Sequence, residues 1–93
     1  MGFTLLHHPA VLKNDLSKIP ADLKPKIRDA IELKLKKDPI LAGKPLRSSL
    51  RGHRKFRYGD WRIIYRIDKK DIIILKIGHR REVYKTASRR EKR

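Results

Sequence analysis

The sequence predicts an α+β fold: an N-terminal strand, a two-helix hairpin, then a three-stranded antiparallel meander forming a twisted sheet, with a basic C-terminal tail. Three observations carry this expectation. Apolar residues recur at helical spacing from Pro9 to Asp38, the stretch LRGHRKFRYGDWRIIYRID from Leu50 to Asp68 alternates as a hairpin does, and the run IIILKIG from Ile72 to Gly78 is rich in β-branched residues. A chain of 93 residues buries one modest core, so residues 1–93 are read as a single domain.

Phe3 to His7 reads as the first strand, with Phe3 and Leu5 on one face. Pro9 suits a first helical position, where its missing N–H is not needed, and Leu12, Leu16 and Ile19 then form one apolar stripe with Lys13, Asn14 and Ser17 facing out. Pro20 breaks that run. A second helix follows with Leu23, Ile27, Ala30, Ile31 and Leu35 on one side; Asp22 is a candidate N-cap, which places Pro25 at the third helical position, whereas a start at Pro20 would kink the helix at Pro25. Asp38-Pro39 stops this helix, because a residue before proline is pushed out of helical geometry. Residues 40–52 hold two Gly, one Pro and two Ser and read as a connecting loop anchored by Leu46 and Leu50.

In the hairpin, a two-residue turn at Gly59-Asp60 makes Tyr58 face Trp61 and Arg57 face Arg62. Phe56, Tyr58, Trp61, Ile63 and Tyr65 then share an apolar face, while Lys55, Arg57, Arg62 and Arg66 share the other. Like charges directly opposite on neighbouring strands work against cross-strand terms of roughly 0.2–1 kcal/mol, which suits a surface that meets an anion. For the last strand, a three-residue connection or an equivalent bulge puts Ile73, Leu75 and Ile77 on the apolar face, with Lys76 and Gly78 in the row of Arg57 and Arg62 and Arg80 at its end. A plain two-residue turn would set those three apolar residues beside Arg62 and Arg66, since a one-residue slip exchanges the faces. Residues 76–93 carry eight Lys or Arg against two Glu, and periodicity does not decide between a short last helix and a partly disordered tail.

The 26 Lys and Arg against 10 Asp and Glu give a formal charge of +16, which favours nucleic acid, an anionic membrane or an acidic protein as partner. Cysteine is absent, excluding disulfides and thiolate chemistry. The N-terminus has neither a basic leader nor a long apolar run, and no segment reaches the roughly 20 apolar residues of a membrane span, so a cytoplasmic protein without membrane association is expected. His7, His8, His53 and His79 have no spacing that specifies a metal site, and Gly-rich phosphate loops and G-x-S-x-G turns are missing, so neither metal nor cofactor is expected.

What remains is a basic constellation: Lys55, Arg57, Arg62 and Arg80, with His79 and Tyr84 close in sequence. Guanidinium groups are permanently charged forks that match phosphate oxygens. With RNA as partner, attack by the neighbouring 2′-hydroxyl builds charge on phosphorane oxygens that preorganised cations stabilise, and a base and an acid must move the 2′ and 5′ protons. A Lys or Tyr in a dense positive field can supply the base. Phosphate binding without chemistry fits the same residues.

The pattern Lys55-Phe56-Arg57, the Gly59-Asp60-aromatic-Arg62 turn, Tyr65 closing IIY, and Gly78-His79-Arg80 with Glu82-Val83-Tyr84 beyond it resembles the RelE/ParE superfamily of bacterial toxins, and within it the RelE-type ribonuclease branch. The similarity extends over the helical hairpin and its Asp38-Pro39 stop. It implies a type II toxin that enters the ribosomal A site and cleaves messenger RNA there by metal-free 2′-hydroxyl attack. By position, Lys55 corresponds to the proposed base, Arg57 and Arg62 to phosphorane stabilisers, Arg80 to the acid or a charge-stabilising arginine, and Tyr84 to a tyrosine that orients or stacks on a base. Arg54, Lys76, His79 and Arg81 are the neighbouring residues expected to bind RNA. Arg57 stands where some relatives have lysine. The resemblance further implies an antitoxin partner, with operator DNA bound only by the toxin–antitoxin complex. Two other readings share the sheet: a non-catalytic gyrase-inhibiting toxin, and a plain basic nucleic-acid-binding module.

Overall fold

The computed structural model describes residues 2–91, and over them the chain is an α+β fold built on one five-stranded sheet of order β1-β5-β4-β3-β2. Strand β1 is Thr4–His7, helix α1 covers residues 9–18, α2 residues 24–35 and α3 Pro39–Ala42. Strand β2 is Lys44–Pro45, a single 3₁₀ turn spans Ser48–Leu50, and β3 (Arg54–Tyr58), β4 (Trp61–Asp68) and β5 (Asp71–His79) form the meander. Helix α4, Val83–Glu91, closes the described chain. Strand β1 lies parallel to β5, and the other pairs are antiparallel. No helix among the described residues is long and apolar enough to cross a membrane.

Helices α1 and α2 cover one sheet face. Val11, Ile19, Ile27, Ile31 and Leu35 pack there on Phe56, Ile63, Tyr65, Ile72, Ile74 and Ile77. The stripe on α1 differs from the expected one: Leu12 is 59% exposed, and Val11, Asp15 and Ile19, spaced by four, point inward with Leu16 half-buried. An inward carboxylate runs against apolar patterning, and its partners explain it below. Asp22 does not cap α2. The Leu23 and Lys24 N–H groups donate to the Pro20 carbonyl, α2 begins at Lys24, and Pro25 falls in its first turn, where no N–H is missed. The middle of α1 (Val11–Asp15) and the end of α2 (Ile31–Leu35) are wound in wide i→i+5 turns, as the Leu16 N–H to Val11 and Lys36 N–H to Ile31 bonds show.

Asp38-Pro39 does end α2, and Asp38 then caps the next helix, accepting from the Leu41 N–H at 3.2 Å with Pro39 at the first position of α3. The expected loop 40–52 therefore contains a helical turn, a fifth strand and a 3₁₀ turn. Leu50 is buried and Leu46 packs beside it.

The hairpin register is the expected one, Tyr58 opposite Trp61 and Arg57 opposite Arg62. Strand β5 is a partial correction. Lys69, at φ +58°, helps form a two-residue turn that pairs Asp68 with Asp71, so Ile72 and Ile74 face α1 and α2 while Ile73 lies opposite Arg66. A bulge at Leu75 then resets the alternation: Ile77 returns to the apolar face, and Lys76 and Gly78 stand opposite Ile64 and Arg62. Leu75 joins a second cluster with Leu50, Ile64, Val83 and Ala87 on the far face, beneath α4. That second core is why the tail is a helix: Val83 and Ala87, four apart, bury one stripe of α4 completely. The last two basic residues of the tail, 92 and 93, lie outside the described residues.

The bulge leaves backbone groups to satisfy. β1 separates from β5 after the His8 N–H reaches the Ile74 carbonyl, so among the described residues the edge of β5 at residues 75–77 has no strand beside it. Asp15 and Arg90 take its place. Asp15 Oδ2 accepts from the Ile77 N–H at 2.9 Å, and Arg90 Nη1 donates to the Leu75 carbonyl at 2.9 Å. The Asp15 carboxylate also receives Lys76 Nζ at 3.0 Å and Arg90 at 2.6 and 2.8 Å. Burial alone would raise the Asp15 pKa, but the hydrogen bonds from Arg90, Ile77 and Lys76 outweigh it and hold the carboxyl below its ordinary 3.8.

Asp15→Ala strands two cations at a buried site and is expected to cost about 3–5 kcal/mol, read as a lower urea midpoint at neutral pH. Because the native pKa is depressed, the ionic contribution is complete above 3.8 and is lost as pH falls through the lower native value. The stability margin of the wild type over Asp15→Asn should therefore shrink in acid; a margin independent of pH would contradict this assignment.

Candidate nucleic-acid interface

Strand β3 brings Lys55 and Arg57 to the face opposite α1 and α2, and β4 brings Arg62 beside Arg57. The tight turn between them needs a left-handed residue, and Gly59 supplies it at φ +57°. The two-residue β2 adds a cation that sequence reading missed: Lys44 stands directly opposite Lys55. Lys44, Lys55, Arg57 and Arg62, with Ala42 and Gly43, line one hollow of about 200 Å³. Two like-charge cross-strand pairs thus share one concavity, and none of Lys44, Lys55 and Arg57 forms an ion pair among the described residues. Arg62 is steered by its own turn, Nη1 donating to the Gly59 carbonyl at 2.8 Å and to the Trp61 carbonyl at 3.0 Å.

Segment 39–43 holds Lys44 at the rim. Tyr65, fully buried, donates its hydroxyl to the Pro39 carbonyl, and burial pushes its pKa up. Arg54 Nη2 donates to the carbonyls of Ile40 at 2.6 Å and Gly43 at 3.1 Å. Gly43 passes so close that a Cβ there would collide with the Tyr65 hydroxyl and come within 2.6 Å of the Lys55 carbonyl oxygen. Glycine is therefore required by close approach rather than by backbone angle. A Gly before a Lys-Pro pair was the only signal in the sequence, and it reads equally well as a plain loop.

Tyr84 leaves the first turn of α4 toward the hollow, its ring centroid 5.7 Å from Lys55 Nζ, within cation–π range. Arg80 is exposed and lies outside the hollow: its N–H donates to the Asp60 carbonyl at 2.8 Å and its Nε lies 3.6 Å from Asp60 Oδ1, pinning it to the hairpin tip. The structure thus gathers Lys55, Arg57 and Arg62 in one cavity, sets Tyr84 against Lys55, and keeps Arg80 apart.

The residues expected to bind RNA are less well placed. Lys76 is buried against Asp15, because the bulge turns it toward the open strand edge, and it offers no ammonium to a ligand. The Arg54 guanidinium is directed at the 39–43 backbone. His79 lies opposite Trp61, on the other sheet face from Arg62, and packs edge-on against the indole with centroids 6.0 Å apart. Arg81 is exposed, its N–H 3.4 Å from His79 Nδ1. A larger hollow of about 240 Å³ between β1, α1 and α2 is walled mostly by Leu and Ile and has no comparable group of cations. No group of three or more His, Asp or Glu among the described residues could hold a metal ion.

Fold and hollow together define a small α+β protein with a cation-lined cleft on its sheet. The family model described as the ParE toxin of a type II toxin–antitoxin system, parDE, matches residues 6–84. Toxin RelG of Mycobacterium tuberculosis is 33% identical over 75 residues, covering 78% of this chain and 86% of the relative. Among solved structures, the toxin–antitoxin complex RelBE2 from Mycobacterium tuberculosis superposes with a TM-score of 0.79 at 30% identity, over 86% of this chain and 93% of that one. A double arginine-to-alanine mutant of E. coli toxin RelE in the free state shares the fold, with a TM-score of 0.74 at 21% identity over 97% and 98% of the two chains. The chain belongs to the RelE/ParE superfamily and is a toxin of a type II toxin–antitoxin system.

Gly43→Ala should force the 39–43 segment away from Tyr65 and β3, at a cost of about 1–3 kcal/mol, as overpacking does. Chemical denaturation should show the loss, and the Tyr65 ring resonances should move; a variant with wild-type stability and unchanged Tyr65 signals would refute the close-approach role.

Proposed function

We propose that the toxin is a ribosome-dependent endoribonuclease that cuts messenger RNA in the A site by attack of a 2′-hydroxyl on the adjacent phosphate. The carrying observation is the convergence of Lys55, Arg57 and Arg62 in a single cavity with Tyr84 beside it. In the proposed step the 2′-oxygen bonds to phosphorus and the bond to the 5′-oxygen breaks, leaving a 2′,3′-cyclic phosphate and a free 5′-hydroxyl. Lys55 takes the 2′ proton. Arg57 and Arg62 stabilise the charge that develops on the phosphorane oxygens, where preorganised donors act most strongly. Tyr84 orients or stacks on a base. Arg80, whose Nε lies 3.6 Å from Asp60 Oδ1, is the remaining candidate to protonate or stabilise the leaving oxygen. The mechanism inferred from the resemblance needs no metal or cofactor.

An acidic or amphipathic antitoxin is the proposed protein partner. The charge of +16 supports it, and so does the RelBE2 neighbour, which is itself a toxin–antitoxin complex. Operator binding is assigned to the toxin–antitoxin complex, and the site of action to the cytoplasm.

A gyrase-inhibiting toxin is the second reading, favoured by the ParE description of the matching family. It leaves messenger RNA intact and elicits DNA-damage signalling.

Expression of the wild type should arrest growth and produce new messenger RNA 5′ ends inside translated codons that depend on active ribosomes. Arg62→Ala removes a transition-state cation and should lower single-turnover cleavage on ribosomes about 10²–10³-fold while the thermal midpoint stays near wild type. Toxicity undiminished by Arg62→Ala, or arrest with uncut messenger RNA, would reject the nuclease.

A further inference from the structure

A second cleft opens on the other side of α4. This helix runs back along β5, with Val83 against Gly78 at its start and Arg90 on the Leu75 carbonyl near its end. Tyr84 leaves it toward β3 and the cationic hollow, whereas Thr86 and Arg90 leave it toward the start of α1. There His8, Ala10, Thr86, Arg89 and Arg90 line about 320 Å³, and among the described residues no carboxylate lines the cleft.

Three features make this cleft attractive to an anion. First, the Ala10 N–H donates to His8 Nδ1 at 3.1 Å, which leaves Nε2 as the ring nitrogen that can donate to a ligand. Second, Arg90, which lines the cleft, shares the single buried carboxylate of Asp15 with buried Lys76, so the group behind the wall carries two positive charges against one negative. Third, Arg89 is exposed and forms no ion pair among the described residues. A path joins the two clefts. Lys85 and Arg89, both exposed and four residues apart, lie along the outer side of α4 toward the second cleft, and exposed Arg81 stands in the turn just before the helix at its Tyr84 end.

We propose that the His8–Arg89–Arg90 cleft binds a backbone phosphate of the same RNA strand whose reactive segment lies in the Lys55 hollow, the strand passing over α4. The proposal rests on reading that hollow as an RNA site. A helix is about 10–12 Å across and a stacked strand advances about 3.4 Å per nucleotide, so roughly three to four nucleotides separate the two phosphates.

The test is fluorescence-anisotropy binding of two RNAs across a salt series, one short enough to fill the hollow alone and one several nucleotides longer. The wild type should bind the longer RNA more tightly and with a steeper salt dependence. Arg89→Ala should reduce that slope by about 0.7 for each phosphate it leaves unneutralised and should not affect the short RNA, with Arg89→Lys restoring most of the slope. Equal slopes for wild type and Arg89→Ala on the longer RNA would overturn the proposal. If the wild type binds neither RNA away from the ribosome, the cleft is judged by inorganic phosphate, and the reading of the hollow stands or falls on the Arg62→Ala cleavage test on ribosomes. Phosphate-induced shifts of the His8 ring and Ala10 amide resonances that Arg89→Ala abolishes would uphold an anion site there, and their absence would dismiss it.

Discussion

One carboxylate joins the layers of this molecule. Asp15, on a helix over one sheet face, reaches past the edge of β5 to Arg90, on the helix that covers the other, and binds Lys76 and the Ile77 N–H on the way. An isolated ionised carboxylate would not tolerate such burial; four hydrogen bonds, three of them charge-assisted on both sides, make it tolerable. The arrangement has a backbone cause. β1 covers only part of β5, and the bulge at Leu75 leaves a donor and an acceptor that no strand can take. Side chains from α1 and α4 supply what a longer β1 would have supplied.

This placement carries through to the hollow. Fixed by Arg90 at one end and by Val83 and Ala87 along its length, α4 can cover only one side of the far sheet face, and Tyr84 forms its border. The uncovered side is where Lys44, Lys55, Arg57 and Arg62 meet. A chain selected for stability alone would not place Lys opposite Lys and Arg opposite Arg. The repulsion is held in place from beneath by Tyr65, Arg54 and the close passage of Gly43, which fix the β2 segment against β3. An anionic ligand entering the hollow would relieve that repulsion, so binding and local stability are expected to be coupled.

Some elements could be read directly from the residues. The Gly59-Asp60 turn and the pairing of Arg57 with Arg62 follow from strict alternation on both sides of a two-residue turn, and the stop at Asp38-Pro39 follows from proline geometry. Others were hidden for definite reasons. Leu12 looked like core because apolarity was the only guide, yet Val11 and Asp15 face inward because the β5 edge needs a carboxylate. Lys76 looked like a ligand-binding cation because parity put it in the right row, but parity says nothing of a partner contributed from 61 residues away. Lys44 lay in an apparent loop, and a two-residue strand has too short a pattern to detect.

The sequence by itself determined the fold class, the hairpin register, the cationic surplus and three of the residues that share the hollow. Those properties depend on alternation, turn chemistry and charge, which act over a few residues and leave a periodic mark. Tertiary structure alone decided that Lys44 joins the hollow, that Lys76 and Arg54 are spent on internal contacts, that Arg80 rests on Asp60, and that the tail folds over the second core. Each of these is settled by which distant groups meet at a strand edge or beneath a helix, and such meetings leave no period in the chain.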